Sequence, residues 1–173
     1  MAARVRVAAG FLVAAVYLID ARPGPWSLAW GLLIALVGLF VRGWAAGHLA
    51  KNATLATGGP FAYTRNPLYV GTAVAAAGFA VAGRRWWLAA LLAAYFLLLY
   101  LPVVGEEESH LRKLFPAYEQ YAGRVPRFWP RFSGGEGGAG KFRGSLYARN
   151  REYQALAGYL AGAAVLWAKL GAG

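Results

Sequence analysis

Apolar residues in this chain fall in long blocks, and that leaves few folds open. Helices are expected over about 5–20, 26–48, 67–83, 86–104 and 153–170, with the polar residues gathered between them. Of 173 residues, 59% are hydrophobic and 14% charged, against roughly 25% charged in soluble domains. The expectation is an all-α integral membrane protein, a single domain over 1–173 with about five transmembrane helices. Several blocks fall short of the ~20 residues that cross ~30 Å of hydrocarbon. Flanking Trp, Tyr and Arg side chains and local thinning of the bilayer make up the difference. Trp26 and Trp30 suit the headgroup level. The Gly- and Ala-rich block 67–83 allows close approach of a neighbouring helix.

The first block follows Arg4 and Arg6 and has the outline of a signal peptide. Asp20-Ala21-Arg22-Pro23-Gly24-Pro25 reads as a turn and not as a cleavage site, so the block is expected to stay as a helix. With the N-terminus inside, only Arg22, Arg84, Arg85 and Lys169 lie outside; the other fourteen of eighteen basic residues lie inside. Segments 49–66 and 105–152 then share the cytoplasmic face of a membrane, expected to be a bacterial inner membrane. The net charge of +11 fits cationic loops at an anionic leaflet, and nucleic acid is not an expected partner. The absence of cysteine excludes disulfides and thiolate metal sites, and two histidines leave little for zinc, so no metal is expected. Trp44, His48 and Lys51 at helical spacing extend the second helix past the membrane surface, with His48 on its surface. The Asn52-Ala53-Thr54 sequon carries no weight in a cytoplasmic loop. Gly134–Gly140 reads as a flexible linker.

The polar stretch GGPFAYTRNPLYVG, residues 58–71, holds the first candidate site. Gly58-Gly59-Pro60 signals a turn, and Pro67 holds Asn66 in extended geometry. A helix starting at Pro67 beside Arg65 makes a platform for an anion, or simply an interfacial loop. The second candidate is Glu106-Glu107-Glu108, read either as a helix N-terminus or as a cation site facing Arg65 and Arg127. An amphipathic helix follows, with Leu111, Leu114, Phe115, Tyr118 and Tyr121 on one side; Pro102 is expected to kink the last turn of the fourth block. Arginine clamps a carboxylate at two points, and carboxylates with aromatic faces (Tyr63, Tyr69, Phe128, Trp129) stabilise a sulfonium or quaternary ammonium. Together they suit a zwitterionic, partly aromatic cofactor, and the residues by themselves name no single one.

Three motifs resemble the isoprenylcysteine carboxyl methyltransferase family and its bacterial members, relatives of the phospholipid methyltransferases. Gly59-Pro60-Phe61 with Arg65-Asn66-Pro67-Leu68-Tyr69-Val70-Gly71 is similar to G-P-Y and R-H-P-x-Y-x-G. Glu107-Glu108-Ser109-His110-Leu111 is similar to E-E-x-x-L, and Arg124-Val125-Pro126 with Pro130 to R-V-P-x-x-x-P. The agreement covers roughly residues 40–132; the first helix and the segment beyond Phe132 add no motif. The resemblance implies a helical membrane enzyme with S-adenosyl-L-methionine at its cytosolic face and an acceptor entering from the bilayer. Arg65, Glu107 and Glu108 would be catalytic. Tyr63, Asn66, Pro67, Tyr69, Gly71, Glu107, Arg124 and Pro126 would bind the cofactor. Asn66 stands where the family usually has histidine, and Phe61 where it has tyrosine; asparagine donates a hydrogen bond but carries no proton at neutral pH. Methyl transfer from a sulfonium destroys a positive charge, so alignment and exclusion of water dominate.

The expected function is therefore methyl transfer to a membrane-associated or hydrophobic acceptor, a carboxylate, thiol or amine, presented as a lipid-soluble or small molecule beside membrane lipid. A sterol-type membrane reductase using NADPH is the alternative enzyme, its phosphates held by the cationic loops. A non-catalytic membrane protein is the third reading, with arginines and acids merely tying helices together.

Overall fold

The computed structural model describes residues 2–131 and 140–171, and every described regular element is helical. In chain order these are α1 (Ala2–Asp20), α2 (Pro25–Ala46), a 3-10 turn (Gly59–Ala62), α3 (Pro67–Gly83), α4 (Trp86–Tyr95), a π segment (Phe96–Tyr100), α5 (Leu101–Leu114), α6 (Tyr118–Arg124), α7 (Gly144–Arg149) and α8 (Tyr153–Gly171). Proline opens both α2 and α3, where its missing N–H costs nothing and its fixed φ suits the first turn. Two helices are long and apolar enough to cross a membrane: Pro25–Ala46, and the continuous Trp86–Leu114 formed by α4, the π segment and α5. Val7–Asp20 and Pro67–Gly83 are shorter apolar helices. Large apolar side chains stand bare along their outer faces, among them Phe11, Ile19, Phe40, Leu98 and Trp167. Such a belt is stable only against an apolar medium.

The closest packing in the molecule joins α2 to α3. Gly31 and Gly38 face Gly78 and Gly71, two residues seven apart on each helix. A Cβ added at Gly31, Gly38 or Gly71 would stand 2.5–2.6 Å from backbone atoms of the partner helix. The small residues of block 67–83 therefore do what their composition implies. At one end of the bundle Tyr17, Ala21, Leu28, Ala82, Leu88 and Leu166 form a buried cluster that ties α1, α4 and α8 to this pair. Arg85 pairs with Asp20, and Lys169 Nζ donates to the Leu18 and Ile19 carbonyls at that same end. At the other end Arg42 grips Glu152 with two nitrogens, at 2.5 and 3.0 Å, and donates to Thr72 Oγ1, docking the start of α8 on α2 and α3.

Three local expectations need correction. α2 stops at Ala46, so it does not carry His48 on a helix; Gly47 and His48 form a turn, with His48 N bonded to the Ala45 carbonyl. The fourth block does not end at 104. It continues to Leu114, which places Glu106, Glu107 and Glu108 inside a helix and not at an N-terminus. Pro102 lacks the N–H that a regular turn needs, and the wider π turn over Phe96–Tyr100 precedes it. The amphipathic stretch after the acids is also two helices, since the chain is extended at Phe115 and turns before Tyr118 starts α6. Except for Gly140, the proposed linker Gly134–Gly140 lies outside the described residues, as does Phe132.

Candidate active site

The loops between α2 and α3 and between α6 and α7 meet at the Arg42 end of the bundle. Arg65 N donates to the Pro126 carbonyl at 2.9 Å, and Arg131 N to the Tyr63 carbonyl at 3.1 Å. Thr64 Oγ1 donates to the Arg127 carbonyl at 3.1 Å. These bonds hold the R-N-P and R-V-P segments side by side. Both segments then close on α5 through one carboxylate. Asn66 Nδ2 donates to Glu108 Oε1 at 2.9 Å and to the Arg127 carbonyl at 3.2 Å, while Arg127 Nε meets Glu108 Oε2 at 3.2 Å. Asn66 caps α3 by position only; its side chain makes no capping bond and is spent on Glu108. Asn66 and Glu108 are both buried, so each supplies the partner the other needs.

A cavity of about 270 Å³ opens beside this junction. Arg65, Glu107, His110, Tyr118 and Tyr121 line it, with Phe61 and the 49–56 loop as the remaining wall. His110 lies one helical turn after Glu107 and reaches Asn52 Oδ1 at 3.3 Å. Tyr121 donates to the Phe61 carbonyl at 2.7 Å. Two polar atoms here are buried without a partner: Arg65 Nε and the Tyr118 hydroxyl. A buried donor left alone costs about 1–3 kcal/mol, and the Tyr118 hydroxyl stands beside the Arg65 guanidinium, from which it can accept. Burial pushes the Tyr118 phenol above its ordinary value and the Glu108 carboxylate adds to this; the Arg65 guanidinium opposes it, by its charge and as a hydrogen-bond donor to the phenol oxygen. Burial raises Tyr121 as well. Both phenols are neutral donors at physiological pH.

The sequence-predicted residues divide by place. Arg65 and Glu107 line the cavity. Glu108 and Asn66 are bonded to each other, Pro126 holds the Arg65 backbone, and Pro67 opens α3; none of the four lines the cavity. Tyr63 packs on Trp44 with centroids 6.3 Å apart, and Tyr69 on Tyr100 at 5.9 Å. Gly71 lies in the α2–α3 crossing, and Arg124 is exposed at the end of α6. Lys51, Asn52 and His110 also line the cavity, none of them expected from the sequence as a site residue, although the one-turn spacing from Glu107 to His110 is legible there. Arg42, Thr72 and Glu152 also went unread as a group, because nothing local pairs residues 110 positions apart.

A profile described as phospholipid methyltransferase matches residues 26–118, from the start of α2 into α6. The chain belongs to the phospholipid methyltransferase family. The matched span of the family includes Arg65, Asn66, Pro67, Tyr69, Gly71, Glu107 and Glu108, and stops before Arg124 and Pro126. The chain is similar to the cobalt-zinc-cadmium resistance protein CzcN of Cupriavidus metallidurans, at 33% identity over 74% of this chain and 62% of that protein. It is also similar to the nickel-cobalt-cadmium resistance protein NccN of Alcaligenes xylosoxydans xylosoxydans, at 37% identity over 60% of this chain and 48% of that protein. The chain thus spans about half to three-fifths of the length of these curated relatives. No solved structure matches it. Among the described residues, no three His, Cys, Asp or Glu side chains gather as a metal site.

Proposed function

We propose that this chain is an S-adenosyl-L-methionine-dependent methyltransferase acting on a membrane-associated or hydrophobic acceptor. The observation that carries the reading is the cavity lined by Arg65 and Glu107, charges of opposite sign, with Arg65 Nε buried and without a hydrogen-bond partner in its wall. Membership of a methyltransferase family supports it, as does the resemblance of the three motifs to those of the isoprenylcysteine carboxyl methyltransferases. We further propose five membrane spans, α1, α2, α3, α4–α5 and α8, with the cavity at the cytoplasmic face. The four basic residues expected outside sit at the opposite end of the bundle from the cavity, as that orientation requires.

The residues present fit the cofactor. Arg65 would donate to its carboxylate and Glu107 would accept from its amino group or ribose hydroxyls, with Tyr118 and Tyr121 in the wall beside them. When bound, the cofactor supplies an activated methyl group on a sulfonium. Glu108 acts as a positioning residue, because both carboxylate oxygens are engaged by Asn66 and Arg127. Asn66 holds α3 against α5 with two donors and takes no part in proton transfer. Tyr63, Tyr69 and Gly71 fix the α2–α3 frame on which Arg65 stands. Arg124 and Pro126 belong to the segment that closes over Arg65, with the Pro126 carbonyl holding its backbone.

Calorimetric titration of the detergent-purified protein with S-adenosyl-L-methionine, and separately with NADPH, tests the reading. Saturable binding of the former, lost in Arg65→Ala and in Glu107→Ala, is the expected result. Binding of NADPH alone would replace the proposal with the reductase. Binding of neither by folded protein would leave a non-catalytic role.

A further inference from the structure

Among the described residues that line the Arg65 cavity, one side chain is suited to take up a proton and pass it on. Arg65 and Lys51 are donors with no lone pair to offer. Tyr118 and Tyr121 are kept as neutral phenols by burial. Asn52 carries no titratable proton, and neither does Asn66, which is bonded to Glu108 away from the cavity wall. Glu107 is assigned above to the amino group or ribose of the cofactor. His110, one turn further along α5, is left.

The fold holds this imidazole from across the cavity. Asn52 Oδ1 lies 3.3 Å from His110 Nε2, although 58 positions separate the two residues. An amide offers a donor on one side and an acceptor on the other. Whichever way it is turned, it engages one ring nitrogen and leaves the second for another partner. Asn52 itself sits at φ +58°, a left-handed conformation that asparagine takes more readily than most side chains. The loop that presents it is fastened at its start. Asn150 Nδ2 donates to the Ala46 and Leu49 carbonyls, both at 2.9 Å, and Ala53 N to the Ala50 carbonyl at 3.1 Å. His110 is exposed, so a proton it takes can pass to water. The charged and titratable groups that share its cavity are Lys51 from that loop, Arg65 from the segment before α3, Glu107 from its own helix, and Tyr118 and Tyr121 from α6.

We infer that His110 is the general base of the methyl transfer proposed above, a reading on which this inference rests. The acceptor is then a nucleophile that still holds its proton, X–H with X sulfur or nitrogen. As X bonds to the methyl carbon, the C–S bond of the sulfonium breaks and its electron pair stays on sulfur. The proton of X–H passes to the second ring nitrogen of His110 and from there to water. The products are X–CH3, S-adenosyl-L-homocysteine and one proton, so the step needs no other reactant. A carboxylate attacks without losing a proton and would leave the imidazole idle. Asn52 is a positioning residue that acts through His110.

Chemical labelling tests the placement of His110 without any acceptor. The whole protein in dodecyl maltoside is treated with diethyl pyrocarbonate, which acylates imidazoles, and the chain holds two of them, His48 and His110. At about ten times its dissociation constant, S-adenosyl-L-homocysteine should slow acylation of His110 about tenfold. His48 does not line the cavity, and its reaction should stay as it was. Turnover is read with S-adenosyl-L-methionine and three probes: decanethiol, decylamine and decanoate. His110→Gln should lower kcat on the thiol or the amine about 100-fold with KM little changed. Raising the pH to about 9 should recover part of that rate, because the acceptor then sheds its own proton. Asn52→Gly suits the left-handed φ and should fold, yet lose about tenfold in kcat. Cofactor binding without protection of His110, transfer to decanoate alone, or a wild-type pH profile in His110→Gln would overturn the inference. Failure to bind S-adenosyl-L-methionine at all would overturn it together with the reading beneath it.

Discussion

The Asn66 amide donates a 2.9 Å hydrogen bond to Glu108, 42 positions further along the chain, and both residues are buried. Glu108→Ala should therefore cost about 1–3 kcal/mol, because it strips the Asn66 amide of an acceptor in a place water reaches poorly. The Arg127 half of the contact adds less, since that side chain is 43% exposed. Thermal unfolding in detergent reads the loss; an unchanged midpoint would mean the junction does not hold α3 to α5.

Tyr118→Phe should separate binding from stability. The hydroxyl is buried, with the Arg65 guanidinium as its neighbour and no hydrogen bond of good geometry, so removing it should change stability by no more than about 1 kcal/mol. The same change should weaken S-adenosyl-L-methionine by about tenfold in a calorimetric titration. A drop in stability with unaltered affinity would place the hydroxyl in the fold and not in the site.

The two raised phenols set an alkaline limit. Above pH 10, the ordinary tyrosine value, the unfolded chain gives up protons that folded Tyr118 and Tyr121 retain. Stability should be flat in this respect below pH 10 and fall as pH rises beyond it. Unfolding midpoints measured from pH 8 to 11 should show the fall, and it should be shallower in Tyr121→Phe.

Gly38→Ala should be poorly tolerated although alanine is the better helix former. Its Cβ would stand 2.5 Å from the Gly71 carbonyl and the Ala75 nitrogen, so α2 and α3 must part. Overpacking of this kind costs about 1–3 kcal/mol, and the shift of α3 should also reduce activity by moving Arg65. Alanine at Gly123, where nothing lies within 4 Å of the added atom, serves as the control and should be neutral.

Glu152→Ala should loosen α8. It leaves Arg42 without its two-point partner where the pair is largely covered, a loss of about 3–5 kcal/mol for a buried ion pair. Limited proteolysis between α7 and α8 should speed up in the variant. A double change, Arg42→Met with Glu152→Leu, should recover much of the stability, because no lone charge then remains.

Sequence by itself determined where the helices lie and which segments could carry chemistry. Those signals are local: apolar blocks, Pro67 at a first helical position, the small residues of block 67–83, and the motif around Arg65. Tertiary structure decided which of the acids is engaged by neighbouring side chains. Neighbouring residues on a helix point about 100° apart, so once α4 runs on into α5, Glu108 turns in toward Asn66 and Arg127 while Glu107 faces the cavity. That rotation could not be read while the acids were placed at a helix start. Tertiary structure also decided that Glu108 pairs with Arg127 and that Arg42 holds Glu152. Such pairings join positions far apart in sequence, and only the packing of α2 on α3, set by backbone contact at Gly38 and Gly71, brings them within reach.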